Sequence, residues 1–167
     1  VPVASSTSSV VTIESNFKPN QTRLDLMNID DIIRYITLNK IDSIIHCAAK
    51  VGGIQDNMNN QLEYLVENLN INKNIIMASY NSGIKNFMNI GSSCIYPKMA
   101  PQPLKEEYIL TGPLEETNQW YAIAKISGVK LIEALRKQYN RDYISLMPTN
   151  LYGPGDNYEL ETSHVLP

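Results

Sequence analysis

The stretch Lys85-Asn86-Phe87-Met88-Asn89-Ile90-Gly91-Ser92-Ser93 decides the fold of this chain. Its first six residues predict a short strand, and Gly91 ends that strand. Two serines follow directly. In open α/β sheets, ligands bind where the strands end. We therefore expect a functional edge at Gly91, and the rest of the chain can be placed relative to it.

Strand and helix patterns alternate on both sides of this stretch. Strands are predicted at residues 10–13, 24–26, 43–48, 85–90 and 143–147. Helices are predicted after the N-cap Asn28, at residues 61–82 before a C-cap at Gly83, and at residues 121–139. Loops are predicted at residues 16–22, 51–60 and 96–118. Alternation of this kind favours an α/β fold with a doubly wound, Rossmann-like parallel sheet. The apolar run at residues 43–48 favours a sheet covered on both faces.

Composition excludes several functional classes. The chain has 167 residues, enough for one domain, with 14 basic and 17 acidic residues. No basic cluster indicates nucleic acid, and no apolar run is long enough to span a membrane. The amino end lacks the pattern of a secretory signal, and two cysteines are too few for a disulfide framework, so a cytoplasmic protein is predicted. His46, Cys47, Cys94 and His164 do not have the spacing of a tight zinc motif, so no metal site is predicted.

Tyr121 and Lys125 form the clearest chemical pattern. Side chains four residues apart share one face of a helix. An ammonium beside a phenol favours the phenolate, so Lys125 is expected to lower the pKa of Tyr121 from its usual value of about 10. Such a tyrosine exchanges a proton with a carbonyl or an alcohol, and Ser92 or Ser93 could bond the same oxygen. The same pattern occurs by chance in many helices, and only the serine pair after a strand favours catalysis.

These features resemble the extended short-chain dehydrogenase/reductase family, which includes NAD-dependent sugar-nucleotide epimerases and dehydratases. The resemblance is carried by residues 46–54, 91–98, 121–125 and 147–154, and it continues through residues 156–157 and 163–165. It covers roughly residues 24–167. The motifs are most similar to those of the branch that epimerises GDP-4-keto-6-deoxy-D-mannose at two carbons and then reduces its ketone with NADPH. The resemblance also implies a homodimer.

The resemblance implies a division of catalytic roles. Ser92, Tyr121 and Lys125 match the residues that protonate the oxygen during reduction. Cys94 and His164 match a cysteine and a histidine that exchange protons with the sugar carbons beside the ketone. A thiol with a pKa near ~8.5 and an imidazole near ~6.5 suit that exchange.

The resemblance places NADPH contacts at the strand ends and in the residues that follow. The implied cofactor-binding residues are Ala48, Ala49, Ile90, Gly91, Ser92, Ser93, Lys125, Pro148, Thr149, Asn150, Leu151 and His164. Asn150 and Val165 match residues that contact the nucleotide-sugar substrate. Tight packing between strand and loop is the alternative explanation for the small residues at 48–49 and 52–53. His46 and Lys50 match no functional residue, and we expect both to be structural.

One family motif is absent from the sequence. The Gly-x-x-Gly-x-x-Gly turn that binds the cofactor pyrophosphate precedes the matched region in this family, whereas the first glycine here is Gly52. We therefore expect residues 1–167 to be a partial nucleotide-binding domain truncated at both ends, with a poorly matched segment at 1–23 and no separate substrate domain. Without the family's central first strand, the strands at 10–13 and 43–48 either pair directly or are covered by something else.

Two alternatives to this function stay open at this point. One is a different sugar-nucleotide epimerase or dehydratase, although Cys94 and the Ser163-His164 pair favour the first interpretation. The other is a non-catalytic remnant that depends on a partner.

Overall fold

The computed structural model describes residues 24–151 and 153–155, together with the backbone of a strand at 10–13. Its strands are β1 (Val10–Ile13), β2 (Ser43–His46), β3 (Asn86–Ile90) and β4 (Asp142–Leu146). Its α-helices are α1 (Ile29–Leu38), α2 (Ile54–Asn59), α3 (Gln61–Asn81) and α4 (Gln119–Tyr139). Single 3-10 turns lie at Ser93–Ile95 and Glu106–Tyr108. In the described part of the chain, no helix is long and apolar enough to cross a bilayer.

The four strands form one parallel sheet in the order β1-β2-β3-β4. β1 pairs directly with β2, with Val10 opposite Ser43. Of the two arrangements expected for these strands, direct pairing is therefore the one formed. Each parallel step contains a helix, as the alternating pattern predicted, so the parallel α/β fold is confirmed.

One hydrophobic core lies between the sheet and the helices α1, α3 and α4. Ile44, Phe87 and Tyr143, one from each of β2, β3 and β4, point into it. The neighbouring side chains on the opposite face of the same strands, such as Ile45 and Met88, are only partly buried by the described residues. The apolar run at 43–48 predicted two covered faces; the described helices cover one of them.

Helix ends follow the predicted capping residues. The Asn28 side chain accepts a hydrogen bond from the Asp30 N–H at 3.0 Å, which satisfies a donor that the first turn of α1 cannot. Gly83 follows α3 with a φ of +74°, a left-handed conformation that glycine adopts without a steric penalty. α4 begins at Gln119, two residues before the predicted start, and ends at Tyr139 as predicted.

Two local predictions were wrong. Residues 24–26 do not form a strand, because the Asp25 carboxylate accepts a hydrogen bond from the Met27 N–H at 2.9 Å and closes a turn. Residues 54–59 form the short helix α2 rather than a loop. The Asn57 amide stabilises its start by donating to the Gly52 and Gly53 carbonyls at 2.9 and 3.0 Å.

Candidate active site

The carboxyl ends of β2, β3 and β4 meet at one edge of the sheet. The Gly91 N–H, just after β3, donates to the Leu146 carbonyl of β4 at 2.7 Å. A Cβ at Gly91 would lie 2.3 Å from the Met147 sulfur and 3.1 Å from that carbonyl oxygen. The Met147 side chain could move away, but the Leu146 main chain is closer than a Cβ normally comes, so the close approach of the two strand ends favours glycine at this position.

The predicted cofactor-binding segments all lie at this edge. Ala48 and Ala49 are buried directly after β2. Ile90 is the last residue of β3 and residues 91–93 follow it, with Ile90, Ser92 and Ser93 half-buried. Residues 148–151 follow β4, and three of these four residues are exposed. The edge therefore presents small side chains, backbone and hydroxyls to one region.

The Ser92 side chain holds the turn that carries Cys94. Ser92 is the N-cap of the 3-10 turn Ser93–Ile95, and its hydroxyl oxygen accepts a hydrogen bond from the Cys94 N–H at 3.4 Å. The turn packs against α4, so it joins the end of β3 to the helix that bears Tyr121. The Ser92 and Cys94 side chains are both half-buried.

The first two turns of α4 carry Tyr121 and Lys125 to the end of β3. Lys125 is only 3% exposed, and its ammonium donates to the Ile90 carbonyl at 3.2 Å. The same nitrogen lies 5.7 Å from the centroid of the Tyr121 ring. A buried charge needs polar partners, and Lys125 has the strand-end carbonyl and the aromatic face.

The electrostatics of Tyr121 differ from the sequence-based expectation. Burial raises the pKa of the Tyr121 phenol instead of lowering it, and repulsion from the ionised forms of Cys94 and Tyr64 acts in the same direction. Lys125 lies by the ring and bonds Ile90, so in this structure it does not overcome the loss of solvent around the phenol. Burial also lowers the pKa of Lys125.

Cys94 is held in its neutral form by the same environment. Burial raises the pKa of its thiol, while the Ser92 hydrogen bond and the Lys125 charge act in the opposite direction. Ser92, Cys94, Tyr121 and Lys125 therefore form one interacting group. Of the other three residues predicted to act on or contact the substrate, Asn150 is exposed after β4, whereas His164 and Val165 lie outside the described residues; the roles of all three stay predictions.

The loop after β2 is fastened to α3. The Lys50 backbone N–H donates to the Asn68 side chain at 2.8 Å, its carbonyl accepts from the same amide at 3.1 Å, and its ammonium pairs with Glu67 at 2.7 Å. A Cβ at Gly52 would lie 2.1 Å from the Tyr64 hydroxyl, whereas one at Gly53 would meet nothing within 4 Å. Tight loop packing therefore accounts for Gly52.

Two buried polar residues lie behind the site: His46, which was expected from the sequence to be structural, and Asn72, which no sequence pattern singled out. The His46 imidazole bonds Asn72, and Asn72 in turn bonds the Ala124 carbonyl of α4. A histidine inside an apolar strand and an asparagine on a buried helix face were the available signals. Their meaning depended on how the sheet and two helices pack, which the sequence pattern does not specify.

The parallel α/β sheet, with the Tyr121–Lys125 helix and the serine turn at its carboxyl edge, has the layout that the family resemblance implies. The chain belongs to the NAD dependent epimerase/dehydratase family, whose model matches residues 1–167.

Within that family, the similar curated proteins include GDP-L-fucose synthases. The chain is 49% identical to that of Sinorhizobium fredii over 148 residues, 89% of this chain and 47% of the relative. It is 50% identical to GDP-L-fucose synthase 1 of Arabidopsis thaliana over 144 residues, 86% of this chain and 45% of the relative. The chain thus spans less than half the length of these relatives.

Solved structures show the same relationship. A GDP-L-fucose synthetase from Naegleria fowleri bound to NADP superposes with a TM-score of 0.73 at 32% identity, covering 84% of this chain and 46% of that one. A GDP-D-glycero-L-gluco-heptose synthase from Campylobacter jejuni, in the presence of NADPH, gives 0.80 at 32% identity, covering 85% and 42%. These likenesses confirm the Rossmann-like class of the fold.

Proposed function

We propose that this chain supplies the catalytic edge of an enzyme of GDP-L-fucose biosynthesis, which epimerises GDP-4-keto-6-deoxy-D-mannose and reduces it with NADPH. The observation that carries the proposal is the buried Lys125 ammonium, bonded to the end of β3 and lying beside Tyr121. The turn with Ser92 and Cys94 packs on the same helix. The names of the similar GDP-L-fucose synthases support the substrate.

The described residues fit the nicotinamide end of NADPH. Lys125 has three N–H donors and bonds Ile90 with one, which leaves donors for ribose hydroxyls. Ala48 and Ala49 have small side chains at the neighbouring strand end, where a cofactor can come close to backbone. When bound, NADPH would supply the hydride for the reduction. Residues 148–151 and His164 would complete the contacts, by family resemblance.

In the reduction, Tyr121 would give its proton to the substrate oxygen as the ketone becomes an alcohol. The raised pKa of Tyr121 keeps the phenol protonated at neutral pH, as a proton donor must be. The Ser92 hydroxyl would hold the same oxygen in place. The Lys125 charge would stabilise the phenolate that remains after the transfer.

In the epimerisation, Cys94 and His164 would exchange protons with the carbons beside the ketone. Inversion requires a proton to leave one face of the carbon and another to return to the opposite face. Burial raises the pKa of the Cys94 thiol further above physiological pH, and the Lys125 charge reduces the cost of forming its thiolate. Asn150 and Val165 would contact the nucleotide sugar.

The same proposal covers organisation. Residues 1–167 would form part of a nucleotide-binding domain, and the active protein would be a homodimer. A second candidate is another reduction of a GDP-linked keto sugar, because the chain is 41% identical to a GDP-L-colitose synthase of Yersinia pseudotuberculosis, covering 89% of this chain and 48% of that protein. Comparing GDP-4-keto-6-deoxy-D-mannose with the keto-sugar substrate of the GDP-L-colitose synthase distinguishes these candidates.

The test uses a completed protein, in which the segments outside the matched region come from the Sinorhizobium fredii relative. We expect NADPH to be oxidised only when GDP-4-keto-6-deoxy-D-mannose is added, with GDP-L-fucose as the product. The unaltered relative is the positive control. If the completed protein binds NADPH, as read by nicotinamide fluorescence, but leaves the keto sugar unchanged, the proposal is wrong.

A further inference from the structure

A chain of buried polar groups connects the end of β2 to the start of α4 through α3. His46 is fully buried and Asn72 is 2% exposed. The His46 Nε2 lies 3.1 Å from the Asn72 Oδ1, and the Asn72 Nδ2 lies 3.0 Å from the Ala124 carbonyl oxygen. These two hydrogen bonds span three elements of the fold.

The donor and the acceptor of both hydrogen bonds between His46, Asn72 and Ala124 can be assigned. The Ala124 carbonyl can only accept, so the Asn72 NH₂ must face it. The Asn72 oxygen then faces His46, which must carry its proton on Nε2 in order to donate. The His46 Nδ1 is left as a bare acceptor, and it has no hydrogen-bond partner among the described residues. This tautomer avoids a buried N–H without a partner.

The polar chain ends within the catalytic part of α4. Ala124 lies between Tyr121 and Lys125, directly before the lysine. One turn further on, a Cβ at Gly128 would lie 3.3 Å from the Asn72 Cγ, so α3 and α4 are in close contact at this point. The hydrogen bond therefore fixes the rotation and depth of α4 where it carries both functional side chains.

We propose that His46 and Asn72 are positioning residues that set the place of Tyr121 and Lys125 for the reaction. His46 orients the Asn72 amide, and Asn72 holds the backbone that presents the two side chains. The proposal rests on the function proposed above. Packing alone does not require polar groups here, since apolar side chains can fill a core without needing partners. A fully oriented hydrogen-bond chain instead specifies one arrangement of the helix.

The substitution Asn72→Asp isolates the second hydrogen bond. The aspartate has almost the same size and, in its ionised form, still accepts from His46 but cannot donate to the Ala124 carbonyl. Asn74→Asp is the matched control. Asn74 lies on the same helix, is also buried, and donates to the Leu26 and Met27 carbonyls at 3.0 Å each, on the side of α1. Asn72→Asp removes one buried amide-to-carbonyl bond and Asn74→Asp removes two, but only the bond of Asn72 reaches α4.

The first measurement is steady-state NADPH oxidation by the completed protein, well below the melting temperature of each variant. We expect Asn72→Asp to lower kcat by tenfold or more, since a displacement of ~1 Å can cost ~10²-fold in rate, while KM changes less than about twofold. Asn74→Asp should keep the wild-type kcat even when its melting temperature falls. Equal kcat losses in the two variants would overturn the positioning role.

The second measurement does not depend on activity. In protein with ¹³C-labelled lysine, the Lys125 signal is assigned by its loss in Lys125→Arg. We expect that signal to move in Asn72→Asp and in His46→Leu. It should stay in place in Asn74→Asp and return close to its wild-type position in His46→Gln, whose amide can still donate to Asn72. If the position of the Lys125 signal is unchanged by the His46 and Asn72 substitutions, the proposal is wrong.

The two measurements separate this proposal from the proposed function. If the completed protein does not reduce the keto sugar while the Lys125 signal follows the expected pattern, the function is wrong and the positioning role stands. If Asn72→Asp does not fold, the comparison of His46→Leu with His46→Gln carries the same test.

Discussion

Acidification should destabilise this protein through His46 before it affects the carboxylates. Burial is the main reason that the pKa of the His46 imidazole falls from 6.5 to about 4, and the Lys125 charge adds to it. In the unfolded chain the same imidazole titrates near ~6.5. Between these two values the unfolded state binds a proton that the folded state does not. The free energy of unfolding therefore rises with pH across this window, and the contribution of His46 to it is lost as the pH falls towards 4.

The size of the effect follows from the shift. One pKa unit corresponds to about 1.4 kcal/mol, so a fall from 6.5 to about 4 corresponds to about 3 kcal/mol at the lower end of the window. That is a large part of the ~5–15 kcal/mol that stabilises a typical domain. Glu133 belongs to a lower window, because its ion pairs with Lys130 and Lys137 lower its pKa from 4.5 to about 2.

Urea unfolding at a series of pH values between 7 and 4 measures this difference. The matched variant is His46→Gln, which keeps a donor for Asn72 but does not titrate. His164 contributes equally to both proteins, so its effect cancels in the comparison. We expect the wild type to lose about 3 kcal/mol more than the variant on going from neutral pH to pH 4. Parallel curves for the two proteins would refute the argument that His46 is buried as a neutral imidazole.

Three further predictions concern the site and its support. In the completed protein, Tyr121→Phe should lower the rate of NADPH oxidation by ~10²–10⁴ but leave deuterium entry from heavy water into the sugar unchanged. Cys94→Ser should stop deuterium entry, which is read by mass spectrometry. The opposite pattern would contradict the assigned roles. Lys125→Met should raise the pKa of the Cys94 thiol, because the ammonium lowers that pKa in the wild type. In a Cys47→Ala background, iodoacetamide should then alkylate Cys94 more slowly near neutral pH. An unchanged dependence of the alkylation rate on pH would contradict this prediction. Tyr143→Phe should cost about 1–3 kcal/mol in urea unfolding, because it leaves the buried Ile84 carbonyl without the hydroxyl that now donates at 3.0 Å; the exposed Tyr139→Phe is the control, expected within ~0.5 kcal/mol of wild type, and equal losses in both would exclude the hydrogen bond as the cause.

Much of the fold was predictable because local signals and packing agree. Asn28 and Gly83 mark helix ends by side-chain and backbone chemistry that acts within a few residues. The strand before Gly91 was predictable from its apolar run and the glycine that follows. Residues 24–26 and 54–59 were mispredicted because single side chains decide them. The Asp25 carboxylate closes a turn where alternation indicated a strand, and Asn57 starts a helix where glycine and asparagine indicated a loop.

The residues of the candidate site could be predicted from the sequence, but their electrostatics could not. Tyr121, Lys125, Ser92 and Cys94 could be proposed because their chemistry is written in spacing and in family motifs. The direction of the Tyr121 pKa shift could not be, since it depends on how much water the folded site removes from the phenol.

His46 and Asn72 show what spacing cannot supply. They are 26 residues apart in the sequence, and their role depends on a third group, a backbone carbonyl on another helix. No side-chain pattern indicates which carbonyl a buried amide will meet. That information appears only when β2, α3 and α4 are packed together. Residues that contact a reacting group can thus be proposed from sequence, whereas residues that hold those groups in place are identified from the packed structure.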